Sequence, residues 1–204
     1  MVWPFTSISY QYFLAAMVTA VTAWFAWRRR QARSGLLSLA LSMLAIAVWC
    51  LLGGLEFGTP SIPAKFLFIS FGNFLGQAIV IWYFVFTFEY YRRAQWLTTP
   101  WRIGLWGLPL AVLGLSLTNG WHNLIWTGFT LAAASSPLVY YAHGPVFYVA
   151  AAYQMLLLAC TLGELGYCFV RRRLPAPERY RTLWLMLSTS CKFLYQIDPY
   201  IDIY

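Results

Sequence analysis

Charge is what this chain has least of. Of its 204 residues only 10% are charged, and only six are carboxylates. A soluble domain carries about 25% charged residues. With 61% hydrophobic residues and so few charges, a fold in water would expose broad apolar patches and associate through them. An ordinary soluble enzyme or binding module is therefore excluded, and a bilayer becomes the natural solvent. Lysine is nearly absent, at Lys65 and Lys192 alone. The two histidines, His122 and His143, and the four cysteines, Cys50, Cys160, Cys168 and Cys191, form no CxxC or HExxH pattern and no zinc spacing. No metal and no cofactor is expected. The cysteines read as inert thiols that pack like small apolar side chains, with a Cys50–Cys191 disulfide as the alternative. There is no Ser/His/Asp set and no phosphate-cradling glycine loop. The carboxylates are too scattered for shared acid–base work, so no catalytic module is expected. Internal repeats are lacking too.

What the chain does have is arginine in three clusters. They are Arg28, Arg29, Arg30 and Arg33; then Arg92, Arg93 and Arg102; then Arg171, Arg172, Arg173, Arg179 and Arg181. Each follows every second apolar run. Basic short loops stay on the cytoplasmic side during insertion, so this spacing predicts a multi-pass protein of the bacterial cytoplasmic (inner) membrane with its N-terminus outside. The stretch from Met1 to Trp27 has no charged side chain before the first arginines, unlike a cleavable signal peptide, which carries its charge first. The net charge of +8 serves topology and meets anionic lipid headgroups. The basic residues sit at the ends of apolar runs, and no nucleic-acid partner is read from them.

The fold class follows: an all-α, polytopic transmembrane bundle of about six helices, since a span needs about 20 apolar residues and lipid satisfies no free backbone group. The expected spans are Ile8–Trp27, Ser34–Gly53, Lys65–Phe88, Ile103–Thr118 (interrupted by Pro109), Pro145–Val170, and a sixth from near Thr182 that fades near Tyr195. The connection from Asn119 to Gly144 is the longest and oddly apolar, with Trp121, Trp126, Phe129, Tyr140 and Tyr141. It is expected to lie on the outer leaflet or to cover the bundle mouth.

Within that connection, Thr118-Asn119-Gly120-Trp121-His122-Asn123-Leu124-Ile125-Trp126 resembles the T-N-x-x-H-x-L-x-W signature of the seven-helix N-terminal sensor region of bacterial histidine kinases. The stretch Trp82 to Tyr90 is similar to that family's W-x-x-F-x-x-x-Y end of the third helix. Tyr141-Ala142-His143-Gly144-Pro145-Val146-Phe147 is similar to its Y-x-x-G-P-x-F entry to the fifth, and Leu55-Glu56 to the acidic outer end of its second. Order and spacing agree from about residue 8 to residue 187. The resemblance implies a signal-input region of a two-component system. In the family a seventh helix and a cytoplasmic module follow, usually a kinase and sometimes a cyclase. This chain has neither, so a truncated sensor is expected, with a membrane domain at 1–187 and an atypical tail at 188–204.

The candidate sensing residues are Glu56, Asn119, His122 and Trp126 on the outer side, with Asn73 and Gln77 beneath them. Each has a plain structural reading. Asn119 and His122 can satisfy a helix end, with Asn-Gly supplying the turn; His122 can also titrate near neutrality. Glu56 can snorkel into water. Asn73 and Gln77 lie in Gly72-Asn73-Phe74-Leu75-Gly76-Gln77, where the small residues favour close packing, within the chain or in a homodimer, and the amides should face inward. Glu164 is an intramembrane charge, read as functional or as a pair with Arg171 or Arg172. Glu89 should pair with Arg92 or Arg93 at the interface. The implied partners are the lipid bilayer and an unknown extracytoplasmic or membrane-borne ligand. A small transporter or channel through Asn73, Gln77 and Glu164 is the alternative.

Overall fold

The computed structural model describes residues 7–91, 93–131, 139–171 and 176–201. Its helices are α1 (Ser7–Arg28), α2 (Leu36–Gly58), α3 (Ile62–Tyr90), α4 (Thr99–Leu117), the single turn α5 (Asn119–His122), α6 (Pro145–Arg171) and α7 (Ala176–Ile201). Five of them, α1, α2, α3, α4 and α6, are long and apolar enough to cross a membrane. The sixth expected span is α7. It has the length, but Glu178, Arg179 and Arg181 make its first turns polar. It begins before Thr182 and continues past Tyr195 to Ile201.

The breaks follow local chemistry. Helix α2 runs five residues beyond the expected Gly53 and ends at Gly58, which sets Glu56 inside its last turn. Only Thr59 to Ser61 interrupt the chain before α3. Ser61 caps α3 by accepting from the Ala64 amide, and Pro63 sits in the first turn, where a missing N–H costs nothing. At the opposite end Gly35 opens α2 with φ of 89°. A Cβ there would press on the Tyr90 nitrogen and the Phe86 carbonyl, so α2 and α3 meet backbone to backbone. Helix α2 buries Ser38, Ala40, Ser42, Ala45 and Ala47 between its neighbours α1 and α3, small residues that let apolar helices approach closely. Ser42 Oγ donates to the Ile79 carbonyl across the α2–α3 seam.

Helix α3 is the hub, touching α2, α4 and α6. Midway along it, Val80, Ile81, Phe84 and Val85 pack with Leu157 and Leu158 of α6 and with Leu97. Large apolar side chains of α1, such as Leu14, Met17 and Val18, stay exposed, as lipid-facing residues must.

The long connection from Asn119 to Gly144, expected to lie over the bundle mouth, contains a pair of strands. Trp126–Leu131 (β1) and Val139–His143 (β2) form an antiparallel hairpin. Phe129 pairs with Tyr141 and Leu131 with Val139, and the register slips between Trp126 and Gly128. The rule that demands helices applies only where lipid surrounds the backbone. Here the chain has left the bundle, and the strands satisfy each other. Burial alternates along β2, with Val139, Tyr141 and His143 half-buried and Tyr140 and Ala142 exposed, as strand geometry requires.

Candidate functional site

The hairpin is tied down by Asn119, which is 2% exposed. Its Oδ1 accepts from the Ile125 and Trp126 amides, at 2.9 and 3.1 Å, and its Nδ2 donates to the Trp126 carbonyl at 2.9 Å. His122 closes the same turn. Its Nδ1 accepts from the Leu124 amide, and its Nε2 lies 3.1 Å from Thr118 Oγ1. Asn123 takes a left-handed φ of 53°, which asparagine tolerates. Gly144 then lets the second strand return. Its amide donates to the Ile125 carbonyl at 2.7 Å, and any Cβ would overlap the Leu124 carbonyl. The motif from Thr118 to Trp126 thus builds a rigid hairpin base. Asn119 and His122 serve that base and lie outside the cavity wall described next.

Beneath the hairpin, α2, α3 and α6 enclose a cavity of about 660 Å³. Three of the expected residues meet there, Glu56, Asn73 and Trp126, joined by Lys65, Tyr141, His143 and Gln154. The Glu56 carboxylate accepts from the Tyr141 hydroxyl at 2.8 Å. Lys65, 4% exposed, donates from Nζ to the Glu56 carbonyl at 2.6 Å. Burial, and then the Glu56 charge, push the Tyr141 hydroxyl well above the usual phenol range. Burial also lowers the His143 pKa. His143 stacks on Phe147, their ring centroids 3.7 Å apart. Glu56 and His143 share the cavity wall and His122 does not.

Several polar atoms of the wall face no protein partner among the described residues. They are Asn73 Nδ2, Trp126 Nε1 and His143 Nδ1. Gln77 is fully buried one turn below Asn73 and likewise has both amide atoms unpartnered. Both amides face inward, as membrane energetics requires. Gly72 and Gly76, read as a packing pair, also line the cavity. A Cβ on Gly72 would sit 3.7 Å from the Trp49 ring, and one on Gly76 would sit 4.0 Å from Gln154 Nε2.

The arginine end holds a different cluster. Glu164, 7% exposed, is paired across the bundle with Arg93 at 2.8 Å, and its other oxygen accepts from Cys168 Sγ. Its expected partners, the Arg171 side chain and Arg172, lie outside the described residues. Glu89 finds its cation on α4, in Arg102 at 3.0 Å, and accepts from Ser38 of α2. Arg92 is outside the described residues, and Arg93 is taken by Glu164. The two observed pairs share a cause: each carboxylate meets a cation brought by another element or connection, which sequence distance does not reveal. All four cysteines are free thiols, Cys50 and Cys168 buried, Cys160 and Cys191 exposed.

Helix α7 is held by hydroxyl contacts. Tyr83 Oη lies 3.0 Å from Thr189 Oγ1, and Tyr91 Oη lies 2.6 Å from Thr182 Oγ1. Arg33 donates to Glu178 at 2.6 Å. The same α3 that lines the cavity thus carries both tyrosines that hold α7, or, for Tyr91, the residue just past its end.

Residues 11–198 match the family described as the N-terminal 7TM region of histidine kinase. The chain belongs to this family. No curated protein and no solved structure matches it. The match spans the hairpin, the cavity and most of α7, so each belongs to this histidine kinase 7TM region as a unit. Lys65 and Gln154 escaped sequence reasoning. Lys65 looked like a span boundary, and Gln154 lies unremarked within the apolar run Pro145–Val170. An amide inside a span is the signal that could have found it.

Proposed function

We propose that this chain is the signal-input domain of a bacterial histidine kinase-type protein in the cytoplasmic membrane, with the hairpin and cavity outside and the arginines inside. A ligand entering the cavity contacts α3 and α6 at once. It shifts the packing of α3, and through Tyr83 and Tyr91 that shift reaches α7. The observation that carries this reading is the double duty of α3, which borders the cavity at Lys65 and Asn73 and meets α7 about 15 Å further along. Ligand and signal then couple only through contacts that differ between two packings. The enzymatic step belongs to the kinase to which such a region is N-terminal.

The alternative, a transporter or channel through Asn73, Gln77 and Glu164, meets an obstacle. Between Gln77 and Glu164 lies the apolar layer of Val80, Ile81, Phe84, Leu157 and Leu158. It offers no polar step for a hydrated solute.

The test is a chimera carrying this chain ahead of a donor's seventh helix and kinase core, in proteoliposomes. Gly76→Leu places a side chain in the cavity as a permanent occupant. Autophosphorylation is expected to change about fivefold, a coupling of roughly 1 kcal/mol. Unchanged phosphorylation together with solute flux through the unmodified chain would favour the transporter.

A further inference from the structure

The cavity also defines what it holds. Two of its unpartnered groups can only donate. Asn73 Nδ2 and the indole Nε1 of Trp126 carry hydrogens and no lone pair to offer. Trp126 is 1% exposed, so bulk water does not satisfy it. A buried donor left unmade costs about 1–3 kcal/mol, and an occupant with acceptor atoms recovers that. Charge is already spoken for. The Glu56 carboxylate has the Tyr141 hydroxyl, the Lys65 ammonium has the Glu56 carbonyl, and the two opposite charges act on each other. With these opposite charges facing each other, the wall has no net charge left to hold an ion. The apolar wall combines aliphatic side chains such as Ile46, Leu52 and Ile79 with the rings of Trp49, Phe68 and Phe147 beside Trp126 and Tyr141. Rings of this kind prefer offset or edge contact with other rings. The volume lies in the range of small-molecule sites and has room for a substituted bicyclic body.

We propose that the occupant is an uncharged, planar, conjugated molecule bearing carbonyl-type acceptors, which Asn73 and Trp126 receive as donors. This rests on the cavity being the input site, but it is tested by binding alone. Such a molecule partitions into lipid and reaches the cavity from the membrane's outer half.

The probe is 2,3-dimethyl-1,4-naphthoquinone. Both ring carbons that thiols attack are blocked, so the exposed Cys160 and Cys191 do not trap it. Its partner is 2,3-dimethylnaphthalene, which has the same outline and no acceptor. Equilibrium dialysis compares nanodiscs containing the full chain with empty ones, which removes simple partitioning into lipid. The quinone is expected to bind at least tenfold more tightly than the hydrocarbon. Asn73→Leu should lower that ratio about threefold, chiefly by weakening the quinone while the Trp126 N–H remains. Trp126→Phe keeps a ring in the packed core and removes only the N–H, and it should lower the ratio severalfold while thermal unfolding stays near that of the unmodified chain. Equal binding of the two probes, a ratio unchanged in both variants, or no binding of either overturns the proposed ligand class. The chimera experiment is untouched by any of these results, because its occupant is the Gly76→Leu side chain, and it alone decides whether the domain signals.

Discussion

Asn119 makes three hydrogen bonds inside the hairpin base and none to the cavity. Asn119→Ala strands two amides and a carbonyl there, and we expect it to cost about 2–4 kcal/mol, read by denaturant-titrated unfolding in mixed micelles. His122→Ala removes one acceptor at a half-buried turn, and about 1 kcal/mol is expected from the same measurement. If either variant abolished probe binding while unfolding normally, the structural role assigned to it would be wrong. His143 brings pH dependence. Burial holds its folded pKa below the ordinary value near 6.5, so the unfolded chain binds the proton more readily. Stability is then fully present above about pH 6.5 and is lost as pH falls through the lower folded value. Thermal unfolding scans from pH 7.5 downward should show this drop, and His143→Phe, which retains a ring against Phe147, should flatten it.

At the scale of elements, the ion pair of Arg93 and Glu164 staples the α3–α4 connection to α6. Glu164→Gln leaves a half-buried guanidinium without its anion and should cost roughly 1.5–3 kcal/mol. The exchanged pair Arg93→Glu with Glu164→Arg should restore part of that, and failure to restore any would assign the cost to packing. Tyr83→Phe combined with Tyr91→Phe removes both hydroxyl contacts to α7. Hydrogen exchange across residues 182–190 is expected to accelerate severalfold while α2 and α3 stay protected. The spans were legible in the sequence because lipid imposes length and apolarity on each segment, and these are one-dimensional properties. The ends were less so. Gly53 looked like a stop, yet α2 continues to Gly58 because Gly53 and Gly54 pack on Tyr12 and Phe13 of α1 and Phe57 meets the Tyr12 ring, which outweighs glycine's poor helix propensity. The hairpin carried a strand signal in Phe129, Thr130, Val139, Tyr140 and Tyr141, but the segment reads only as an apolar cover for the bundle mouth until the strands are seen to pair. Glu56 and Asn73 stood out in the sequence because polar groups in an apolar chain are rare, and Trp126 stood out through the motif that begins at Thr118; the structure brings all three to one cavity. Their companions Lys65 and Gln154 did not stand out, because convergence of three helices and a hairpin is a property of packing. Asn119 and His122 drew attention through a motif whose work is to shape a loop.

For the whole molecule, orientation is the property on which the rest depends. In a cysteine-free background, Trp121→Cys sits beside the hairpin and Trp101→Cys at the arginine end, replacing side chains that are 89% and 67% exposed. A membrane-impermeant maleimide should label the first in intact cells and the second only after permeabilisation. The reverse pattern would invert the topology and move the cavity to the cytoplasm. Helix α3 has a further consequence. From Phe66 to Phe88 its uncharged stretch is about 35 Å long, against a hydrocarbon layer of about 30 Å. Such a rod must lean, or thicken the lipid around it. Longer acyl chains bring it upright and shorter ones tip it further, and the helices packed against it must follow. Whatever sets the acyl-chain length of the surrounding membrane would therefore bias the posture of the whole bundle.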